Sequence, residues 1–349
     1  MKVLVINPLI PDYRLPIFNI LGTEVDLTIL HSGKYRQEDH LSFQQIILPI
    51  KKIGPFFVYP VNIHKICKKF DVVISEANIR YLDRNLLIIN PFRKYKWITW
   101  GIGVSASYDK KFDEDLKTDF IRHLIFKNAN AQIFYSDYPV KKYIKAGFNP
   151  ESLFVANNTT QVIYNENIQF IKHKLLFVGT LYKQKKIYEL LESYLEFSKY
   201  SSEIIPLHII GYGSEYDNIK KWINENSMSN HIVLHGSIFD QTILEKHFRE
   251  AFACISPGQA GLSVLTSMGY GTPYITRKDA ITGGEIFNIV HDFNGTLYNS
   301  DKDLVNILKD ISADPAKYIK MGLNARAHYL KHRSPTQMAQ AFLDACNYV

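Results

Sequence analysis

Cysteine is scarce in this chain. Its 349 residues include Cys67, Cys254 and Cys346 and no others, odd in number and too scattered for a disulfide framework or a thiolate metal cluster. A reducing, cytoplasmic setting is the expectation they leave. Long apolar runs are lacking too: no stretch approaches the ~18–20 apolar residues of a membrane span. The opening segment is broken by Asn7, Pro8 and Pro11, so its apolar run is too short for the core of a secretion signal. None of the 12 histidines is paired at His-x-Glu-x-x-His spacing, the mark of a helical metal site. His235, just after a strand, reads as a loop histidine, and the acidic run Asp113-Glu114-Asp115 reads as a helix start. No metal is therefore expected.

The length suits two domains better than one. The net charge of +7 is unevenly shared. Residues 1–170 hold 22 Lys and Arg against 16 Asp and Glu (+6), and the remainder 19 against 18 (+1). Basic clusters occur at Lys51-Lys52, Lys65–Lys69, Arg93–Lys96 and Lys110-Lys111. Such a field suits an anionic membrane surface, a phosphorylated acceptor or nucleic acid, or is simply a solvated face. No nucleic-acid recognition motif accompanies it, so nucleic acid is not expected as a partner.

Short apolar runs alternate with amphipathic stretches, the pattern of an α/β chain with parallel sheets. Strands are expected at 2–6, 25–30, 43–48, 71–75, 97–100 and 132–135. Helices are expected between them, as at 15–21, 61–70, 112–127 and 138–146, the last stopped by Gly147. After the polar stretch 157–174 a second series follows. Its strands are expected at 175–178, 207–210, 232–234, 253–255 and 273–275, its helices at 188–198, 216–226, 242–251 and 262–270. The division is expected at 168/169, giving domains 1–168 and 169–334, with a last helix at about 335–349 that packs back on the first.

Three segments carry the chemistry. Ile255–Pro273 reads as a strand end, a loop with Gly258, Gln259, Ala260 and Gly261, and a helix starting near Leu262. Small residues there let a ligand approach the backbone, and free N–H groups at a helix start attract phosphate. Phe177–Lys186 ends a strand at Gly179-Thr180 and then presents Lys183, Lys185 and Lys186, point charges suited to a diphosphate. Ile209–Glu215 places Gly211 and Gly213 in a turn before a helix. Each has an ordinary reading as a βα loop.

In this order and spacing the segments resemble the C-terminal domain of the retaining GT-B glycosyltransferases of family 4. Gly179, Leu181, Lys185, Gly211, Gly213, Gly261, Leu262, Leu265, Met268, Gly271 and Pro273 match its pattern, as do Gly283-Gly284-Glu285 and Asp292–Gly295. The family's loop arginine is Thr180 here, and its paired glutamates fall on Gly258 and Thr266. The chain thus resembles a divergent bacterial-type subgroup.

The resemblance implies a GT-B fold, two doubly wound Rossmann-like domains with a cleft between them. It implies transfer from a UDP- or GDP-linked sugar donor, with no other cofactor, to a saccharide or lipid-linked acceptor at the inner face of a membrane. Lys185, Lys183 and Arg14, which ends the first strand's loop, are the candidates for stabilising the leaving diphosphate. Gly179, Thr180, Gly211, Gly213, Gln259, Gly261, Leu262, Thr266 and Glu285 are the candidate donor contacts, Thr266 for the ribose and Glu285 either for the ribose or simply as an acid favouring a helix N-terminus. Ile102 stands where relatives often have a histidine, so none is assigned there. A relative that binds a nucleotide or partner without turnover is the alternative.

Overall fold

The computed structural model describes residues 1–38, 40–105, 112–114, 116–200 and 203–349. The chain forms two compact units, residues 1–159 with 334–349, and residues 160–333.

In the first unit, Lys2–Ile6 (β1) has four successive buried aliphatic residues, the continuous apolar run of a parallel strand covered on both faces. Asp26–His31 (β2), Gln44–Ile47 (β3), the hairpin Lys51–Ile53 and Phe56–Val58 (β4, β5), Val72–Glu76 (β6), Lys96–Gly101 (β7), Ala131–Phe134 (β8) and Leu153–Val155 (β9) follow. The parallel sheet runs β3-β2-β1-β6-β7-β8-β9, so strand order reverses between β1 and β6. The intervening helices are Leu15–Glu24 (α1), His64–Cys67 (α2), Leu82–Ile89 (α3), Leu116–Phe126 (α4) and Val140–Lys145 (α5). Gly147, at φ +80°, ends α5 by turning the chain so that Phe148 N–H reaches Tyr143 O at 3.1 Å. A left-handed residue with this bond is a common helix stop.

The second unit repeats the scheme. Its strands are Lys174–Val178 (β10), Leu207–Ile210 (β11), Ile232–Gly236 (β12), Ala251–Ile255 (β13), Gln259–Ala260 (β14), Tyr274–Arg277 (β15), Ile281–Thr282 (β16) and Gly295–Tyr298 (β17). The main sheet, again parallel, runs β12-β11-β10-β13-β15-β17, with β14 paired to β16, and reverses between β10 and β13. Ile187–Ser198 (α6), Tyr216–Glu225 (α7), Gln241–Arg249 (α8), Leu262–Gly269 (α9), Asp301–Ala313 (α10) and Pro315–His332 (α11) cover its faces. Separate apolar cores fill the two sides, one around Phe177, Leu190 and Leu308, the other around Leu176, Phe248 and Met268.

Pro335–Tyr348 (α12) then returns to the first unit. Ser334 and Gln337 form a capping box at its start, and Phe342 sets its ring edge-on to Trp100 at 4.9 Å.

All the expected strands are present to within two residues. The helix expected at 61–70 is shorter, confined to His64–Cys67. Lys110, Lys111 and Asp115 lie outside the described residues. The first unit ends earlier than expected, at Thr159, because the polar stretch after it is fastened to the second. Arg249 is the fastener. Its guanidinium donates to Asn165 O at 2.6 Å and to Ile168 O, and lies 4.0 Å from the Tyr164 ring.

Candidate functional site

In doubly wound sheets, ligands bind beyond the strand ends at the point where strand order reverses. In the second unit that point is flanked by the loops that leave β10 and β13. They enclose a cavity of ≈ 400 Å³. Gly179, Thr180, Lys185, Gln259, Gly261, Leu262 and Thr266, all expected at the site, line it.

Lys185 is the cavity's one cation among the described residues. A short 3-10 turn, Lys183–Lys185, turns its side chain inward so that only 7% of the residue stays exposed. Lys183, two residues earlier, points to solvent. Burial lowers the Lys185 ammonium from its ordinary 10.5 to about 8. The neighbouring Cys254 is no counter-charge, since burial pushes its thiol up to about 12. Two other inward lysines show what is missing. Lys172 donates to Arg249 O and Ala251 O at 3.1 and 2.8 Å, and Lys174 to Glu250 Oε2 at 2.6 Å. Lys185 has no hydrogen-bond or ion-pair partner among the described residues, an arrangement that favours an anionic ligand.

Opposite it, α9 opens at Gly261 with no side-chain cap, so the free N–H groups of its first turn and its dipole favour negative charge. A Cβ on Gly261 would meet nothing within 4 Å. The space in front of this turn is open. Gly258 differs from the expectation that it too makes room for a ligand: a Cβ there would lie 2.1 Å from Gln184 O. The backbone of the lysine loop fills that space. Gly211 and Gly213 serve the same kind of contact, with would-be Cβ atoms 1.9 Å from Gly179 O and 2.3 Å from Leu181 O. They shape the lysine loop and do not line the cavity.

Gln259 Oε1 accepts from Tyr182 O–H. Thr266 Oγ1 donates to Leu262 O at 3.2 Å, which leaves its lone pairs able to accept. Glu285 is buried, and its carboxylate accepts from Gly283 N–H at 3.0 Å. It fixes the Gly283-Gly284 turn and is absent from the cavity wall. Thr160, Gln161, Gln241 and Leu244 also line the wall. No local motif announces them, since they come from the chain's entry into the unit and from α8. A second cavity of ≈ 500 Å³ near β17 carries Asp292, Asp303 and Asp310 on its wall together with Lys278 and Lys317.

Arg14 lies in the first unit, at a larger concavity of ≈ 760 Å³ beyond β1, β6 and β7. It is 3% exposed and donates to Asn158 Oδ1 at 2.8 Å. Its guanidinium lies 5.0 Å from each of the Tyr13, Trp100 and Tyr135 rings. Arg80 and Arg122 on the same wall are held by Pro55 O and Asp119. These cations donate hydrogen bonds to protein groups, whereas the Lys185 ammonium lies 5.9 Å from the centre of the Tyr182 ring.

Two parallel Rossmann-like units of this kind define the GT-B glycosyltransferase fold. Residues 165–328, most of the second unit, match the family model for glycosyl transferases group 1. The chain is 31% identical over 255 residues to an uncharacterized glycosyltransferase of Methanocaldococcus jannaschii, covering 64% of this chain and 62% of that relative. Among solved structures, it is similar to HepE of Anabaena in complex with UDP (TM-score 0.73, 14% identity, all of both chains). It is also similar to the lipopolysaccharide outer core galactosyltransferase WaaB (TM-score 0.68, 16% identity, 99% of both chains).

Proposed function

We propose that the protein is a glycosyltransferase that moves a sugar from a nucleoside-diphosphate donor to a saccharide or lipid-linked saccharide acceptor, in the synthesis of a cell-surface polysaccharide. Lys185 carries the reading: among the described residues, a buried ammonium with no hydrogen-bond or ion-pair partner lines the same cavity as the uncapped start of α9, at the reversal of strand order. Such a pair suits a diphosphate, whose charge grows as the sugar's bond to it breaks. HepE has been seen with UDP and with UDP-glucose, and WaaB is a galactosyltransferase of lipopolysaccharide. These support a UDP-linked hexose as donor.

Among the described residues, no carboxylate, histidine or cysteine lines the cavity. With no carboxylate there to act as nucleophile or base, we read the reaction as retaining, the departing phosphate helping to activate the acceptor hydroxyl. The diphosphate is met by Lys185 and by α9 rather than by a metal ion.

An anionic bilayer is the second partner we propose. In the first unit α3 and α4 pack together, leaving Leu86, Phe92, Phe120 and Leu124 63–86% exposed. Lys94 and Lys127 are exposed alongside. Apolar side chains rimmed by lysine suit the interface of an anionic membrane. Among the described residues no helix is long and apolar enough to cross one. The proposed location is the cytoplasmic face.

One observation favours a second reading, binding without turnover: Gly258, where the family's first glutamate would stand, has no room for a side chain. Release of nucleoside diphosphate from a panel of UDP- and GDP-sugars, with and without lipid-linked saccharides, separates the two. Acceptor-stimulated release supports the transferase. Tight binding with no release from any pair supports the second reading.

A further inference from the structure

Three histidines from three elements of the second unit meet beneath α8. His208 comes from β11, His235 from β12 and His247 from the last turn of α8. His208 Nδ1 and His235 Nε2 are 2.9 Å apart. The His247 ring centre lies 4.6 Å from that of His235 and 5.8 Å from that of His208. One nitrogen from each ring lies within 4.8 Å of the other two. Around a tetrahedral zinc ion, with Zn–N of about 2.0–2.1 Å, ligand nitrogens stand about 3.3 Å apart. Small torsions of the three side chains reach that spacing.

The backbone contributes to the grouping. Ile209 pairs with Leu234 and Ile210 with Gly236, so His235 is the extra residue of a β-bulge, a device that re-aims side chains and gathers at functional sites. β12 is the edge strand of the sheet and the three rings are only partly buried, so an ion has a path in and a water has room at the fourth position.

We propose that His208, His235 and His247 bind one divalent transition-metal ion, zinc above all, through three imidazole nitrogens. Imidazole sets favour zinc, copper or nickel over magnesium or calcium. Each imidazole can offer a ring-nitrogen lone pair to such an ion. The nearest cation, Lys174 Nζ, lies 3.2 Å from His247 Nδ1 but also 2.6 Å from Glu250 Oε2. It can release the ring and remain paired. The ion braces α8 against the sheet edge, and Gln241, Leu244 and Phe248 of that helix line the cavity that holds Lys185.

The test is titration of the chelator-treated, tag-free full chain with Zn²⁺ by competition calorimetry and with Co²⁺ by visible spectroscopy. One ion per chain is expected, with the intense bands of four-coordinate cobalt and a raised melting temperature. His235→Gln and His247→Gln should each weaken zinc on the order of 100-fold, while the exposed His291→Gln binds as the parent does. Circular dichroism of the ion-free variants checks their folding. Absence of saturable zinc binding overturns the proposal. So does zinc affinity that survives both substitutions, or magnesium binding of equal strength.

Discussion

The Gly258 amide donates to the Lys185 carbonyl at 3.0 Å, so the loop leaving β13 fixes the position of the cavity's unpartnered lysine. A methyl group on Gly258 would sit 2.1 Å from Gln184 O and 2.7 Å from Lys185 C. Gly258→Ala should therefore cost about 1–3 kcal/mol of stability and also weaken nucleoside-diphosphate binding, as urea unfolding and calorimetry would show. A variant with parental stability would mean that the two loops are not tightly coupled.

Gly261 should behave in the opposite way. Its φ of −108° with ψ of −148° lies just beyond the extended region and not in the left-handed one, and its would-be Cβ meets nothing. Gly261→Ala should leave stability within about 0.5 kcal/mol of the parent. The methyl group enters the space before the free N–H groups of α9, so affinity for UDP should fall about tenfold, equivalent to ~1.4 kcal/mol. Unchanged affinity would place the phosphates elsewhere.

Lys185 costs the ligand-free protein stability. The unfolded chain holds this proton up to about 10.5, whereas the folded chain releases it near 8. Between those values the unfolded state binds more protons, so this group's contribution to stability rises with pH. Below about 8 both states are charged and the burial penalty is present in full. At pH 7 Lys185→Met should stabilise the protein by about 1–3 kcal/mol, with a smaller gain at pH 10. Urea unfolding at the two pH values measures it. A loss of stability at pH 7 would show that the ammonium has a protein partner.

The same proton links pH to ligand binding. Raising the pH through about 8 discharges the free enzyme's ammonium. UDP affinity should thus hold below that value and fall by up to about tenfold per unit above it. Near pH 8.5, binding should take up protons, visible as a dependence of calorimetric heat on the buffer's ionisation enthalpy. Flat affinity to pH 10 would remove Lys185 from the diphosphate.

Exchanging Phe92 and Phe120 for Ser removes two of the most exposed apolar side chains of the first unit. Because they contact mainly solvent, stability should change little. Co-sedimentation with vesicles rich in anionic lipid should drop several-fold. Equal sedimentation of parent and double variant would dismiss this face as the membrane contact.

Much of the fold is legible in the sequence. Runs such as Val3–Ile6 and Leu175–Val178 are apolar without alternation because parallel strands are buried on both faces. The glycines that open the loops after β10 and β11, Gly179 and Gly211, mark the ligand side of the second sheet. Composition and spacing alone do not separate Lys183 from Lys185, two residues apart on one loop; the family pattern falls on Lys185, and a 3-10 turn sends that side chain inward. Nor do they separate Gly258 from Gly261, where one glycine clears protein backbone and the other clears open space. The unit boundary shifts because Arg249, some 80 residues away in sequence, ties down Asn165. The histidine cluster has no local signature, since its members stand at 208, 235 and 247 and meet only when β11, β12 and α8 pack together.

Calorimetric titration of the parent, Lys185→Ala and Lys183→Ala with UDP and GDP tests the central claim most directly. The account predicts that one nucleoside diphosphate binds the parent and Lys183→Ala alike and is lost, on the order of 100-fold, with Lys185→Ala. Equal binding by the parent and Lys185→Ala, or no binding to any of the three, would contradict it.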